Sequence, residues 1–135
     1  MTKLLIGKTG EGKTKEIIDH ANAALKDLKG NIVFINESNE SLLELNHDIR
    51  YINISEFPVN SSNEFIAFLY GLMGSNYDIE KIYLDGILNL YIMTPEEICV
   101  WLDKINLLGT KHNVYFEITL SYNGEIPECL SKFLQ

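Results

Sequence analysis

Eight residues near the start of the chain, Gly7, Lys8, Thr9, Gly10, Glu11, Gly12, Lys13 and Thr14, have types and spacing suited to holding a polyphosphate. They follow the pattern G-x-x-x-x-G-K-[ST] of a phosphate-binding P-loop, or Walker A motif. Phosphate oxygens are held mainly by backbone N–H groups, which can converge on an anion where glycines remove Cβ and allow unusual dihedrals. Gly7, Gly10 and Gly12 supply that freedom. Lys13 places a positive charge against the β- and γ-phosphates, and the Thr14 hydroxyl suits a magnesium ion at the start of a helix whose dipole favours anions.

A second candidate lies at Asp85. The run Lys81-Ile82-Tyr83-Leu84-Asp85 is an apolar strand closed by a carboxylate, the Walker B form, in which aspartate holds the water shell of magnesium opposite the phosphates. Gly86 follows, so a plain turn residue is the competing reading of Asp85.

These groups need a scaffold that brings them to one place. Leu4, Leu5 and Ile6 form a short apolar strand before the loop, and residues 13–29 read as a helix, with Ile17, Ile18, Ala21, Ala24, Leu25 and Leu28 at three- and four-residue steps and Gly30 as its cap. Residues 31–35 make a second strand, β-branched and apolar, and a short helix with Leu42, Leu43 and Leu45 on one side follows. Residues 50–54 alternate apolar and polar, which suits a third strand near a sheet edge. Ser61 to Glu64 and Thr94 to Glu97 have the form of capping boxes, opening helices that end at Gly74 and Gly109. Trp101 falls on the buried face of the second of these helices.

The fifth strand, 114–121, sets a constraint. If it is central, Glu117 and Thr119 are costly to bury unpaired, so they face a thinly covered side or a polar partner. A short helix over 126–134 closes the chain. Strands alternating with helices define an α/β fold, a doubly wound three-layer sandwich around a mainly parallel five-stranded sheet, with the ligand at the carboxyl ends of the strands. The P-loop, Glu37, Asp85 and Ser121 to Asn123 all fall at those ends.

Composition narrows the partners. The 135 residues suit one domain, 1–135, and the net charge of −8 with Arg50 as the only arginine argues against nucleic acid or an anionic membrane. Cys99 and Cys129 form no C-x-x-C and read as buried reduced thiols of a cytoplasmic protein. No apolar run approaches ~18 residues, and no leader segment is evident.

The order of these features resembles the RecA-like division of P-loop ATPases, which includes the KaiC and replicative-helicase relatives. The match runs from the P-loop strand and its loop through a strand ending in Glu37, a further strand at 50–54 and the Asp85 strand to a strand ending at Ser121. The resemblance implies that Glu37 orients or deprotonates the attacking water, and that Ser121 or Asn123 senses the γ-phosphate. It implies ATP and Mg2+ as ligands, and a P-loop strand lying beside the sensor strand with its other edge covered by residues 126–134 or by a second subunit. No glutamate follows Asp85, where many relatives carry their base, and no arginine finger is available beyond Arg50. The same scarcity of arginine counts against a small-molecule kinase with lid arginines. Two functions follow as expectations: a slow Mg-dependent ATPase, or a nucleotide-sensing module that works through a protein partner or a homodimer.

Overall fold

The computed structural model describes residues 1–134. Five strands, β1 (Thr2–Gly7), β2 (Asn31–Asn36), β3 (Arg50–Asn53), β4 (Ile79–Asp85) and β5 (Tyr115–Ser121), form one sheet in the order β1-β5-β4-β2-β3. Every pairing is parallel. Parallel strands are joined by crossovers that cover both faces, which is why the middle of β2, Ile32 to Ile35, is an unbroken apolar run.

Helix α1 (Lys13–Ala24) packs Ile17, Ile18 and Ala21 on one face, against Leu5, Ile32, Phe34 and Tyr83. Helices α2 (Ser62–Ser75) and α3 (Pro95–His112) cover the other face, where Phe65, Leu69, Leu102 and Ile105 meet Val33, Ile35, Ile82, Leu84, Phe116 and Ile118. The fold is therefore the expected α/β sandwich. Trp101 belongs to this second core, and its indole N–H donates to the Ser62 carbonyl at 2.9 Å.

Several element ends differ from the sequence reading, each for a local reason. The α-helical part of the first helix stops at Ala24 and continues as a 3₁₀ turn, Leu25–Asp27. Gly30 is no helix cap but a point of close approach, because a Cβ there would run into the Asp78 carbonyl and the Glu80 carboxylate. The segment holding Leu42, Leu43 and Leu45 is a single 3₁₀ turn, Leu42–Glu44. The capping box at Thr94 and Glu97 is complete, with both reciprocal bonds made. At Ser61 only half of one forms: its hydroxyl accepts from Glu64 N–H, while the Glu64 carboxylate reaches back to Asn60 N–H.

Gly109 does not stop α3, which runs on to His112 and is capped by Asn113 in the left-handed region at φ 56°. Gly109 is there for space. A Cβ would sit 2.7 Å from the Val114 carbonyl oxygen and 3.0 Å from the Phe116 ring, so glycine lets the helix end lie down on β5. Gly109→Ala is expected to lower stability by about 1–3 kcal/mol in chemical denaturation, overpacking outweighing alanine's advantage in helix propensity.

The two cysteines are not free thiols. Cys99 on α3 is joined to Cys129, an exposed residue of the closing 3₁₀ segment Glu128–Phe133. An ion pair between Lys132 and Asp103 at 2.7 Å ties the same two elements. The segment buries Leu130 and Phe133 beside β1 and α3, in the core on the α3 face of the sheet. The bond closes a loop of sequence separation 30. Cys129→Ser is expected to cost about 3–4 kcal/mol by the chain-entropy relation, read as the difference between the parent and variant midpoints under oxidising conditions.

Candidate functional site

The P-loop occupies the turn between β1 and α1, and two of its glycines do what their type requires. Gly10 and Gly12 have φ of 86° and 83°, in the region where L side chains are strained. Gly7 is different, its role being to leave room. The Glu11 carboxylate folds back to accept the Lys8 N–H and comes within 3.0 Å of where a Gly7 Cβ would be. Lys13 Nζ donates to the Lys8 carbonyl at 2.7 Å, which curls the loop around its own lysine. Gly12 also accepts the first helical bond, from Glu16 N–H, so the loop runs directly into α1 and its dipole.

A cleft of about 450 Å³ lies at the carboxyl ends of the strands. Thr9, Gly10, Gly12, Lys13 and Thr14 form one wall, and Glu37, Asp85 and Ser121 come in from the tips of β2, β4 and β5. The sheet order explains the convergence, since β5 and β4 are the two strands next to β1. Lys8 and Glu11 are exposed on the loop's outer side, and Asn123 lies beyond the cleft lining. Of the two sensor candidates, then, Ser121 faces the cleft.

Asp85 is 4 % exposed and held at both carboxylate oxygens: the Thr119 hydroxyl donates to Oδ1 at 2.7 Å and Asn36 Nδ2 to Oδ2 at 3.4 Å. Thr119 accepts in turn from Gly86 N–H at 3.1 Å, and Gly86 takes a φ of 79° to turn the chain away. A buried carboxylate fixed this way is an acceptor of defined direction. The Asp85 carboxylate and the Thr14 hydroxyl, both in the cleft lining, are hard oxygen atoms of the kind that could hold magnesium. Among the described residues no group of three or more His, Cys, Asp or Glu is placed to hold a metal ion.

Three lining residues escaped the sequence reading. Asn36 orients Asp85 and also accepts Glu37 N–H at 2.6 Å. Thr119 was singled out only as a residue needing a partner. Asn89, after Gly86, holds the Ser121 backbone from both sides, accepting its N–H and donating to its carbonyl, each at 2.9 Å. The signal that could have found them is the same for all: a polar residue at or just past a strand end that has to point at something.

The other constrained residue of β5, Glu117, is 3 % exposed and also partnered. Its carboxylate meets His20 Nδ1 of α1 at 2.5 Å and accepts the Tyr115 hydroxyl at 2.6 Å. Burial first, then the hydrogen bond to Glu117 and its charge, push the Tyr115 phenol well above its usual range; burial and Glu117 do the same to Tyr83. The contact fastens α1, and with it the P-loop, to the sheet's centre. His20→Leu is expected to destabilise by about 1–3 kcal/mol, measured by thermal or denaturant unfolding, because Glu117 loses a partner but the half-exposed site admits water.

The fold these elements define is a five-stranded, all-parallel α/β sandwich in which the edge strand β1 runs into the glycine-rich loop and helix α1. Among solved structures, the KaiC-like protein from the hyperthermophilic archaeon Pyrococcus horikoshii OT3 superposes with a TM-score of 0.68 at 16% sequence identity, over 94% of this chain. The chain spans about 65% of the length of that neighbour. At this identity the likeness is one of fold. The chain matches no protein-family model and no curated protein. No helix among the described residues is long and apolar enough to cross a membrane.

Proposed function

We propose that the chain is an ATP-binding protein and a slow Mg-dependent ATPase. The observation that carries the reading is the one cleft in which the P-loop wall, Thr14, the doubly held Asp85 and the Glu37 carboxylate face one another. Gly10, Gly12, Lys13 and Thr14 would bind the triphosphate through backbone amides, the lysine charge and the helix dipole. Thr14 and Asp85 would hold magnesium, which when bound neutralises charge on the transferring phosphoryl group. Glu37 would accept a proton from the attacking water, and Ser121, fixed by Asn89, would report the γ-phosphate to β5. Lys13 is the one basic side chain in the cleft lining, where Glu37, Glu40 and Asp85 are acidic, so charge stabilisation is sparse and turnover slow.

That imbalance favours a second reading, in which the chain binds ATP, hydrolyses it little and signals the γ-phosphate to a protein partner or a second copy. The deciding experiment is single-turnover phosphate release from Mg-ATP with protein in excess, beside a binding titration and the Lys13→Ala variant. Release that falls by about 10²–10³-fold in the variant establishes the ATPase. Binding without release establishes the sensor, and neither binding nor release overturns both.

A further inference from the structure

A second cavity, of about 290 Å³, adjoins the cleft at the tip of β3, and the two share Glu37. Besides Glu37 its lining combines Ile54, Phe57, Val59, Leu90 and Tyr91 with the polar side chains of Ser55 and Asn60. The sheet order puts it on the side of Glu37 away from the P-loop, since β2 lies between β4 and β3. Its shape is braced. The Tyr91 hydroxyl donates to the Val59 carbonyl at 3.3 Å, Val59 N–H donates to the Phe57 carbonyl at 2.8 Å, and the Tyr91 ring packs on Phe65. Phe57 is nonetheless 42 % exposed, an aromatic kept at the mouth of a cavity instead of in the core.

Building on the ATP-binding reading, we propose that this cavity is a second ligand site for a small neutral, largely apolar molecule bearing a hydroxyl group, and that this hydroxyl is the acceptor of the γ-phosphoryl group. The lining decides the chemical class. Among the described residues that line it, Glu37 is the one charged side chain and none is lysine or arginine, so a phosphorylated or carboxylated acceptor would meet a like charge with no cation to offset it. Lid arginines, which small-molecule kinases set around the transferred phosphoryl group, are lacking in a chain whose one arginine is Arg50, so transfer is expected to be slow. The apolar walls provide the burial, and the one carboxylate provides the base, an arrangement typical of small-molecule sites.

The step balances. The acceptor oxygen bonds to the γ-phosphorus, its proton passes to the Glu37 carboxylate, and the bond from the γ-phosphorus to the β,γ-bridging oxygen breaks, its electron pair leaving with ADP. Water does the same when the cavity is empty, which accounts for slow hydrolysis as the default. An acceptor held beside Glu37 gains over water through positioning.

Benzyl alcohol serves as the probe, first with the nucleotide-free protein. Methyl and aromatic NMR signals of Ile54, Val59, Phe57 and Tyr91 are expected to shift saturably, and the shifts to vanish in Val59→Trp or Asn60→Trp, which fill the cavity at a partly buried and an exposed wall. With Mg-ATP added, phosphorus NMR is expected to show benzyl phosphate at about tenfold or more above a protein-free control, and only the background level in the tryptophan variants that still bind ATP. Absence of saturable shifts overturns the site. Saturable binding with phosphate released to water alone overturns the acceptor role. Failure to bind ATP removes the nucleotide reading and the transfer with it, and the ATP titration of the parent protein distinguishes that failure from the other two.

Discussion

Glu37→Gln is expected to lower single-turnover phosphate release by about 10²–10⁴-fold while ATP affinity stays within about threefold of the parent value. The substitution keeps size and hydrogen-bonding capacity and removes only the ability to take a proton. Its structural cost is small because the side chain is exposed and the backbone is held independently, Glu37 N–H donating to Asn36 Oδ1 at 2.6 Å. Gly86 supports the assignment: a Cβ on that residue would lie 3.5 Å from Glu37 Oε1, so the carboxylate rests against the turn that follows Asp85 and faces the cleft. No other carboxylate is so placed. Asp85 is engaged at both oxygens, and Glu40 lies three residues further along the same loop. Unchanged release in the glutamine variant removes Glu37 from the mechanism and moves the search for a base to Glu40.

The site was legible in the sequence where a residue's type is demanded by a ligand, and illegible where it is demanded by another residue. The glycines, Lys13 and Asp85 stood out by type and spacing as candidates for a phosphate and metal site, whereas Glu37 entered through its place after a strand and the resemblance. The adjacency of β1 and β5 followed from the resemblance, and the edge position of β3 from its alternating pattern. Asn36, Thr119 and Asn89 are different, since their roles are pairwise and a single sequence does not record which polar groups meet. For Thr119 and Glu117 the cost of burial required a partner without saying which. Gly109 and Gly30 were misread because a glycine needed for close approach has the same letter as one that ends a helix. The pairing of Cys99 with Cys129 depended on where the closing segment lies, and that segment's two buried residues, Leu130 and Phe133, carry no periodic signal of their own.

The interplay of Asp85 with its neighbours leads to the second large expected effect. Asp85→Asn should reduce phosphate release by about 10²–10³-fold and raise the magnesium concentration needed for half-maximal ATP binding, with little loss of stability. The fold tolerates the change because the hydrogen-bond set can be redrawn. With its new oxygen toward Asn36 Nδ2, the asparagine turns its amide toward Thr119, whose oxygen is an acceptor and already takes the Gly86 N–H. What is lost is the charge. In the proposed site the Asp85 carboxylate would attract a divalent cation beside Thr14, and an amide oxygen would attract it far less. Thr119→Val separates position from charge. It keeps the carboxylate but removes the bond that aims it, so release should fall by about tenfold, with magnesium affinity weakened in the same proportion. If Asp85→Asn leaves the magnesium dependence of binding unchanged, Asp85 is a turn residue and the cation is held elsewhere. If Thr119→Val weakens release without moving the magnesium midpoint, Thr119 supports the fold of the β4 tip and not the metal.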